Sequence, residues 1–161
     1  LLGVIDSARN RSFVFSQTGQ LLSELSGPTE ACFYQNELVQ LQISGNRVHA
    51  RVIKRGGSTD SLFTAETTPG NVWLDAQAIG AIGSTLVVIG RQGQGDEDHP
   101  VWSRVLVYRQ GTVRSCSVIP HLGLHAGSPK SYTLLTVDGA QSLIDLDQHP
   151  EGIAVRAFRL P

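Results

Sequence analysis

The clearest metal-binding chemistry in this sequence lies in His121 and His125, with Cys116 five positions before the first of them. Zinc prefers thiolate and imidazole ligands, but a structural zinc site usually needs a fourth ligand and a compact frame. Histidines four positions apart share a face only on a helix, and Pro120 and Gly123 disfavour a helix here. The pattern favours histidines on a loop or strand, and we predict no metal site.

The segment 93–100, GQGDEDHP, concentrates acidic residues between two predicted strands. Its spacing is not that of an EF-hand calcium loop, because it lacks the Gly at the sixth position and the distal Glu. A solvated hairpin tip is the favoured interpretation, and loops of this kind often carry binding contacts. We predict partner contacts in a second loop at 55–60, RGGSTD, and in the acidic loop at Asp96, Glu97, Asp98 and His99.

Other motifs for catalysis or cofactor binding are weak. GRQGQG at 90–95 has three glycines but no helix after it, so a phosphate would meet no helix N-terminus. The nucleophile pattern G-x-S-x-G does not occur. Cys32 and Cys116, the two cysteines, have apolar neighbours and are predicted to be buried free thiols, with a disulfide between them as the alternative. The sequence predicts no catalytic residue and no cofactor.

The composition limits the classes of partner. The chain has 161 residues, 13 Lys and Arg against 14 Asp and Glu, and a net charge of −1. Without a basic stripe to neutralise phosphates, direct nucleic-acid binding is not expected. The apolar runs, such as TLVVIG at 85–90, are far shorter than the roughly 20 residues of a membrane helix. We therefore expect no membrane insertion, and the sequence leaves the compartment open.

Short apolar segments that alternate with polar residues, separated by Gly, Pro, Asn and Asp, predict an all-β chain. Strands are predicted near residues 3–6, 12–16, 21–25, 30–34, 37–43, 47–54, 61–66, 74–81, 85–90, 102–109, 112–119, 131–137, 141–146 and 152–159. WLDAQAIGAI at 73–82 could be helical, but Gly80 and the missing cap favour a strand. Gly-containing turns with positive φ are predicted at 17–20, 44–47, 109–112 and 137–140.

The order of these strands repeats, which divides the chain into four approximate units, 1–28, 29–72, 73–121 and 122–161. About four strands in each repeat of roughly 35–50 residues is typical of the blades of a β-propeller. The first unit lacks a leading strand, so we expect the chain to be a segment of a longer propeller. A β-sandwich, which has similar strands and turns, is the alternative fold.

The first unit also carries a recognisable pattern. Residues 4–22, VIDSARNRSFVFSQTGQLL, place an Asp-centred turn with Asn and Arg before an apolar strand, then a Gly turn and a Leu-bearing strand. This resembles the NHL-type propeller repeat, through Val4, Asp6, Asn10, Arg11, Val14, Phe15, Gly19 and Leu21. Alternation places Phe13 and Phe15 on one face, suited to packing between blades. Packing between blades is also predicted for Trp73, Trp102, Phe33, Tyr34 and Tyr108, and the alternative is that one or two of them are exposed and anchor a protein interface.

The favoured function is a non-enzymatic protein–protein interaction scaffold, a β-propeller platform within a larger multi-subunit assembly. The absence of a catalytic motif and the low, mixed charge favour it, and the partners would be other protein chains. One alternative is a secreted or surface recognition domain for a glycan or receptor, suggested by the glycosylation pattern Asn10-Arg11-Ser12 and the two cysteines. The other alternative is a propeller-type hydrolase or lyase with a metal in its channel, which the resemblance permits.

Overall fold

The computed structural model describes residues 2–6, 11–26, 31–54, 58–95, 101–120, 131–149 and 151–161. Within these ranges the chain is all-β and forms antiparallel sheets in which each strand pairs with its neighbour in sequence. The first sheet contains β1 (Leu2–Asp6), β2 (Arg11–Phe15) and β3 (Leu21–Ser26). The second contains β4 (Ala31–Tyr34), β5 (Glu37–Ser44), β6 (Arg47–Ile53) and β7 (Thr59–Glu66).

The third sheet contains β8 (Val72–Ile82), β9 (Thr85–Gly93), β10 (Trp102–Arg109) and β11 (Thr112–Pro120). The fourth contains β12 (Ser131–Val137), β13 (Ala140–His149) and β14 (Gly152–Arg159). The predicted all-β class is confirmed, and WLDAQAIGAI is a strand as predicted, with bulges next to Leu74 and Ile79. Residues 122–130, with which the fourth predicted unit begins, lie outside the described residues.

Several hairpins turn within two residues, as the sequence predicts. The turns Gly45-Asn46, Gln110-Gly111 and Asp138-Gly139 connect paired strands, and φ is positive at Gly45, Gln110, Gly111, Asp138 and Gly139. Such turns match the right-handed twist of the strands that they join. The predicted strands also break at the turn Gln35-Asn36, between β4 and β5. Its positive φ at both residues is not predicted from sequence, because the turn contains no glycine.

The second and third sheets pack against each other through the largest apolar cluster among the described residues. The second sheet contributes eight buried side chains, Tyr34, Val39, Leu41, Val48, Ala50, Val52, Phe63 and Ala65. The third contributes five, Trp73, Leu86, Val88, Leu106 and Tyr108. The Tyr108 ring stacks on that of Phe63 at 5.5 Å and meets Tyr34 edge-on at 6.0 Å. Aromatic pairs at such spacings add to the stabilisation from buried area.

Strand β9 is buried on both of its faces, because successive side chains of a strand point to opposite sides. Leu86 and Val88 face the second sheet. Val87 and Ile89 face the fourth, where they pack with Val105, Val107, Leu143 and Leu160. The sequence of β9 is apolar without alternation because the second sheet covers one face of the strand and the fourth sheet covers the other. The first sheet joins the second through Val14, which packs with Leu38 and Ile53.

Gly90 lies under the indole ring of Trp73, which explains why β9 has a glycine at this position. A Cβ added to Gly90 would lie 2.6 Å from Cε3 of Trp73 and closer still to Cζ3. Trp73 also ties the third sheet to the second: its backbone N–H donates to the carbonyl of Gly45 (3.2 Å), and its Nε1–H donates to the carbonyl of Ala65 (3.3 Å). The two middle sheets are thus joined by hydrogen bonds as well as by apolar packing.

Candidate interaction surfaces

The contact residues predicted from sequence, Asp96, Glu97, Asp98 and His99, lie outside the described residues, as do 55–57 of the second predicted loop. The end of that loop is described. Ser58, Thr59 and Asp60 are exposed, and Asp60 forms an ion pair with Lys54. The hydrogen bond to Asp60 raises the pKa of Lys54. His121 and His125 also lie outside the described residues, and so does Asn10.

Metal-binding clusters are absent from the part of the chain that the structure describes: no group of three or more His, Cys, Asp or Glu side chains could hold an ion there. Within the same ranges there is no helix of the length and apolarity that crossing a membrane requires. Two sheet faces stand out among the described residues for the apolar side chains that they expose.

The outer face of the fourth sheet, turned away from the third sheet, exposes branched apolar side chains. Leu135 is 48% exposed, Val155 65% and Ile153 71%. The register pairs Leu135 with Ser142 and Ser142 with Arg159, and Arg159 shares its side of β14 with Val155 and Ile153, so the three apolar side chains lie on one side of the sheet. They belong to the edge strands β12 and β14, whereas Ser142 and Ile144 of the central strand are buried on the same side. Apolar side chains clustered on one side of a sheet mark an interaction site more often than scattered ones do.

The opposite face of the fourth sheet shows why the exposed one is unusual. Leu134, Leu143 and Phe158 are paired across the three strands and pack against the third sheet. When one face of a sheet is exposed to solvent, its strands normally alternate apolar and polar residues. Here Leu134 and Leu135 are adjacent apolar residues, as are Leu143 and Ile144, so both faces carry apolar side chains. This is the composition of a sheet that is covered on both sides.

The first sheet presents a second open apolar face. Val14 points toward the second sheet, so its neighbours Phe13 and Phe15 point to the outer side, where their ring centroids are 6.5 Å apart. Leu21 pairs with Phe15 across β2 and β3 and is 49% exposed. The predicted placement of both phenylalanine rings on one face is confirmed. At the edge of this face, Arg11 donates a 2.6 Å hydrogen bond to Glu24.

The interface between the third and fourth sheets, here called their seam, is polar at one end. Arg109 donates from Nε to the Thr85 hydroxyl and from Nη2 to the side-chain oxygen of Gln141, both at 2.9 Å. Gln141 in turn donates to the carbonyl of Ile82 at 3.3 Å. A cavity of about 200 Å³ opens beside this seam, lined by Val107, Arg109, Gln110, Thr112, Arg114 and Pro161. Its two guanidinium groups are suited to contact with a carbonyl or carboxylate.

The aromatic residues predicted to pack between sheets divide into two groups. Trp73, Tyr34 and Tyr108 are buried, as predicted. The prediction is wrong for Trp102 and Phe33, which are exposed. Trp102 is the first residue of β10. Phe33 lies on β4, which is an edge strand of the second sheet. At both positions fewer neighbouring residues cover the side chain. The alternation of a strand shows which residues share a face, but it does not show how far the neighbouring sheet extends.

Cys32 is a free thiol that is partly buried against the central cluster, in agreement with the sequence prediction. Burial raises its pKa from 9.0 to about 11, because the thiolate loses solvation. The buried, protonated Cys32 thiol thus adds to the free energy of unfolding, and this contribution is fully present below about pH 9. That contribution is lost as the pH rises toward about 11, since the unfolded chain then ionises more readily.

The raised pKa predicts that the Cys32 thiol reacts slowly with alkylating reagents. At pH 8 we expect iodoacetamide to alkylate Cys32 about a hundredfold more slowly in the folded chain than in the chain unfolded in urea, because only the thiolate reacts. Mass spectrometry of the peptide that contains Cys32 measures the two rates separately from Cys116. Equal rates in the folded and unfolded chains would contradict the burial of this thiol.

No protein-family model matches the chain, and no curated protein sequence matches it significantly. The two open sheet faces are therefore interpreted from their own geometry. Sequence reasoning missed them, although the apolar pairs in β12 and β13 were a usable signal that both faces of the fourth sheet are apolar.

Proposed function

We propose that this chain is a non-enzymatic protein–protein interaction scaffold within a larger assembly, and that the outer face of the fourth sheet is one of its binding surfaces. The observation that carries the proposal is the exposure of Leu135, Ile153 and Val155 on one side of a sheet. Burying three branched apolar side chains under another protein would supply about 1.5–3 kcal/mol for each that becomes fully covered. The partner would be another protein chain.

We further propose that the scaffold is a β-propeller or part of one. Consecutive antiparallel sheets that pack face to face, with each strand paired to its sequence neighbour, are features that blades share. The third sheet has both faces covered, as a blade inside a ring does. The pattern of residues 4–22 supports the same architecture through its resemblance to the NHL-type repeat.

The binding surface can be tested with a charge placed on it. The protein is purified from its source with its companion chains retained, the companion is identified by native mass spectrometry, and the dissociation constant is measured for wild type and V155K. We expect V155K to weaken the complex at least about tenfold, because the ammonium group would have to be desolvated. The control Q42K, at an exposed position of β5, should bind as wild type does. Unchanged affinity in V155K would remove this face from the proposal.

The acidic segment is a second proposed contact, made by Asp96, Glu97, Asp98 and His99. The variant D96N/E97Q/D98N removes three charges and leaves the side chains almost the same size. If the segment contacts a basic surface of the partner, the variant should bind more slowly, and the difference from wild type should shrink as salt is added. Identical association rates at low salt would exclude this contact.

A further inference from the structure

We propose that the cavity beside the seam of the third and fourth sheets binds a carboxylate carried on a short aliphatic stem, and that a glutamate side chain of a protein partner supplies it. This site is separate from the outer face of the fourth sheet and adds a second kind of binding to the function proposed above. Only the choice of a protein as the source of the carboxylate rests on that proposed function. Two arginines that line the cavity, Arg109 and Arg114, form the site.

The register of the third sheet brings the two arginines together. Arg109 on β10 pairs with Thr112 on β11, and Val107 pairs with Arg114. Residues directly opposite each other on two strands lie on the same side of the sheet, and so do residues two positions apart in one strand. Arg109 and Arg114 are therefore diagonal neighbours, with Cα atoms about 7–8 Å apart, on the side that carries the buried Val107.

Arg109 is held in place by neutral groups. Its Nε donates to the hydroxyl of Thr85, and its Nη2 donates to the side-chain oxygen of Gln141. Thr85 is buried, and Gln141 is itself bonded to the carbonyl of Ile82, so both acceptors are fixed. A guanidinium has five N–H groups, and these two bonds use two of them without neutralising its charge. Because the group is oriented before a ligand arrives, binding costs little side-chain entropy.

The two arginines lack the carboxylate partner that several other cations of the chain have. Among the described residues, ion pairs join Arg11–Glu24, Arg47–Glu66, Lys54–Asp60 and Arg91–Asp75. Within the same ranges no Asp or Glu lines the cavity, and neither Arg109 nor Arg114 forms an ion pair. Neighbouring guanidinium groups repel each other, and an anion bound between them would remove this repulsion.

The size and lining of the cavity favour a small carboxylate over other anions. Its volume of about 200 Å³ is below the roughly 300–1,000 Å³ of sites for drug-sized ligands. Guanidinium groups donate parallel hydrogen bonds to the two oxygens of a planar carboxylate. Val107 adds an apolar wall, which suits the methylene groups of a glutamate. The same wall would desolvate a phosphate oxygen without replacing its hydrogen bonds.

A side chain of another protein can reach this site because the cavity lies at an edge of the third sheet. Thr112 and Arg114 belong to β11, which is an edge strand, and both residues are exposed. Ion pairs near the rim of an interface act mainly on the rate of association and on its dependence on salt. We therefore expect the site to speed the encounter with an acidic partner.

Two capped peptides probe the site, acetyl-Ala-Glu-Ala-amide and its neutral counterpart acetyl-Ala-Gln-Ala-amide, with the N–H resonances of the protein followed by NMR. We expect the Glu peptide to bind with a dissociation constant of about 1–10 mM, and the Gln peptide at least about tenfold more weakly. R114Q removes one charge at an exposed position and should weaken the Glu peptide at least about tenfold. The control R51Q makes the same change at an exposed position of β6, outside the cavity, and should bind as wild type does.

Three results would contradict the carboxylate site. Wild type could bind the two peptides equally, or R114Q could bind the Glu peptide as well as wild type does. Inorganic phosphate could also shift the same resonances at a lower concentration than the Glu peptide, which would exclude the preference for a carboxylate. Circular dichroism and urea unfolding of R114Q and R51Q show whether a loss of binding reflects a loss of folding.

The complex with the companion chain tests the source of the carboxylate. At low salt R114Q should associate with the companion more slowly than R51Q does, and the difference should shrink as salt is added. An unchanged rate in R114Q, together with a loss of peptide binding, would overturn the protein partner as the source. A companion that is lost in V155K but binds R114Q at the rate of wild type would leave the proposed function standing while this source fails.

Discussion

Replacing Leu143 by alanine is expected to lower the free energy of unfolding by about 2–5 kcal/mol, because it opens a cavity in the cluster that joins the third and fourth sheets. Leu143 is fully buried and lies at the centre of its sheet, paired with Leu134 on β12 and Phe158 on β14. Val87 and Val105 meet it from the third sheet. These neighbours belong to β-sheet backbones, so they can move little to fill the space.

Urea unfolding of L143A, followed by tryptophan fluorescence and circular dichroism, measures this loss. L135A is the matched control, since it makes the same chemical change on the opposite face of the same sheet at a half-exposed side chain. We expect L135A to cost less than about 1 kcal/mol. Similar losses in the two variants would contradict the assignment of inner and outer faces to the fourth sheet.

Gly90→Ala is expected to destabilise the chain by about 1–3 kcal/mol, although alanine is usually a mild substitution in a strand. The added methyl group would overlap the indole ring of Trp73. That ring cannot swing away freely, since its Nε1–H is bonded to the carbonyl of Ala65 and its body is buried between the second and third sheets. The strain would fall on the seam between the two middle sheets.

A double-mutant cycle with W73L isolates this effect. Removing the ring leaves room for the methyl group, so Gly90→Ala should cost little in the W73L background, and the coupling energy should approach the cost of the single variant. Urea unfolding of the four proteins measures it. If Gly90→Ala is equally destabilising with and without the indole ring, the close approach of Trp73 is not the cause.

The all-β class could be predicted from sequence because alternation and turn chemistry are local properties. Gly45, Gly111 and Gly139 mark two-residue turns whose positive φ is set within the hairpin itself. The same reasoning predicts β8 as a strand despite its alanines, since Gly80 and the missing cap disfavour a helix. The β-propeller stays a prediction, because alternation within strands does not determine the angle between successive sheets.

The binding surfaces were harder to predict, for a different physical reason. Val87 and Val155 are both β-branched residues in strands, yet one is buried and the other is 65% exposed. What differs is whether another sheet lies over the side chain, and that depends on contacts between residues far apart in sequence. The same limit explains Trp102 and Phe33, which were predicted to be buried and are exposed.

The unequal size of the apolar clusters bears on how the chain opens. The seam between the second and third sheets holds the largest cluster among the described residues, while the first sheet is attached through the cluster of Val14, Leu38 and Ile53. Regions with fewer buried contacts open at lower free energy than the rest of a protein. Amide hydrogens of β1–β3 should therefore exchange with solvent well before those of β9 and β10. Any partner that covers the outer face of the first sheet would act on the part of the chain that opens most easily and slow its exchange.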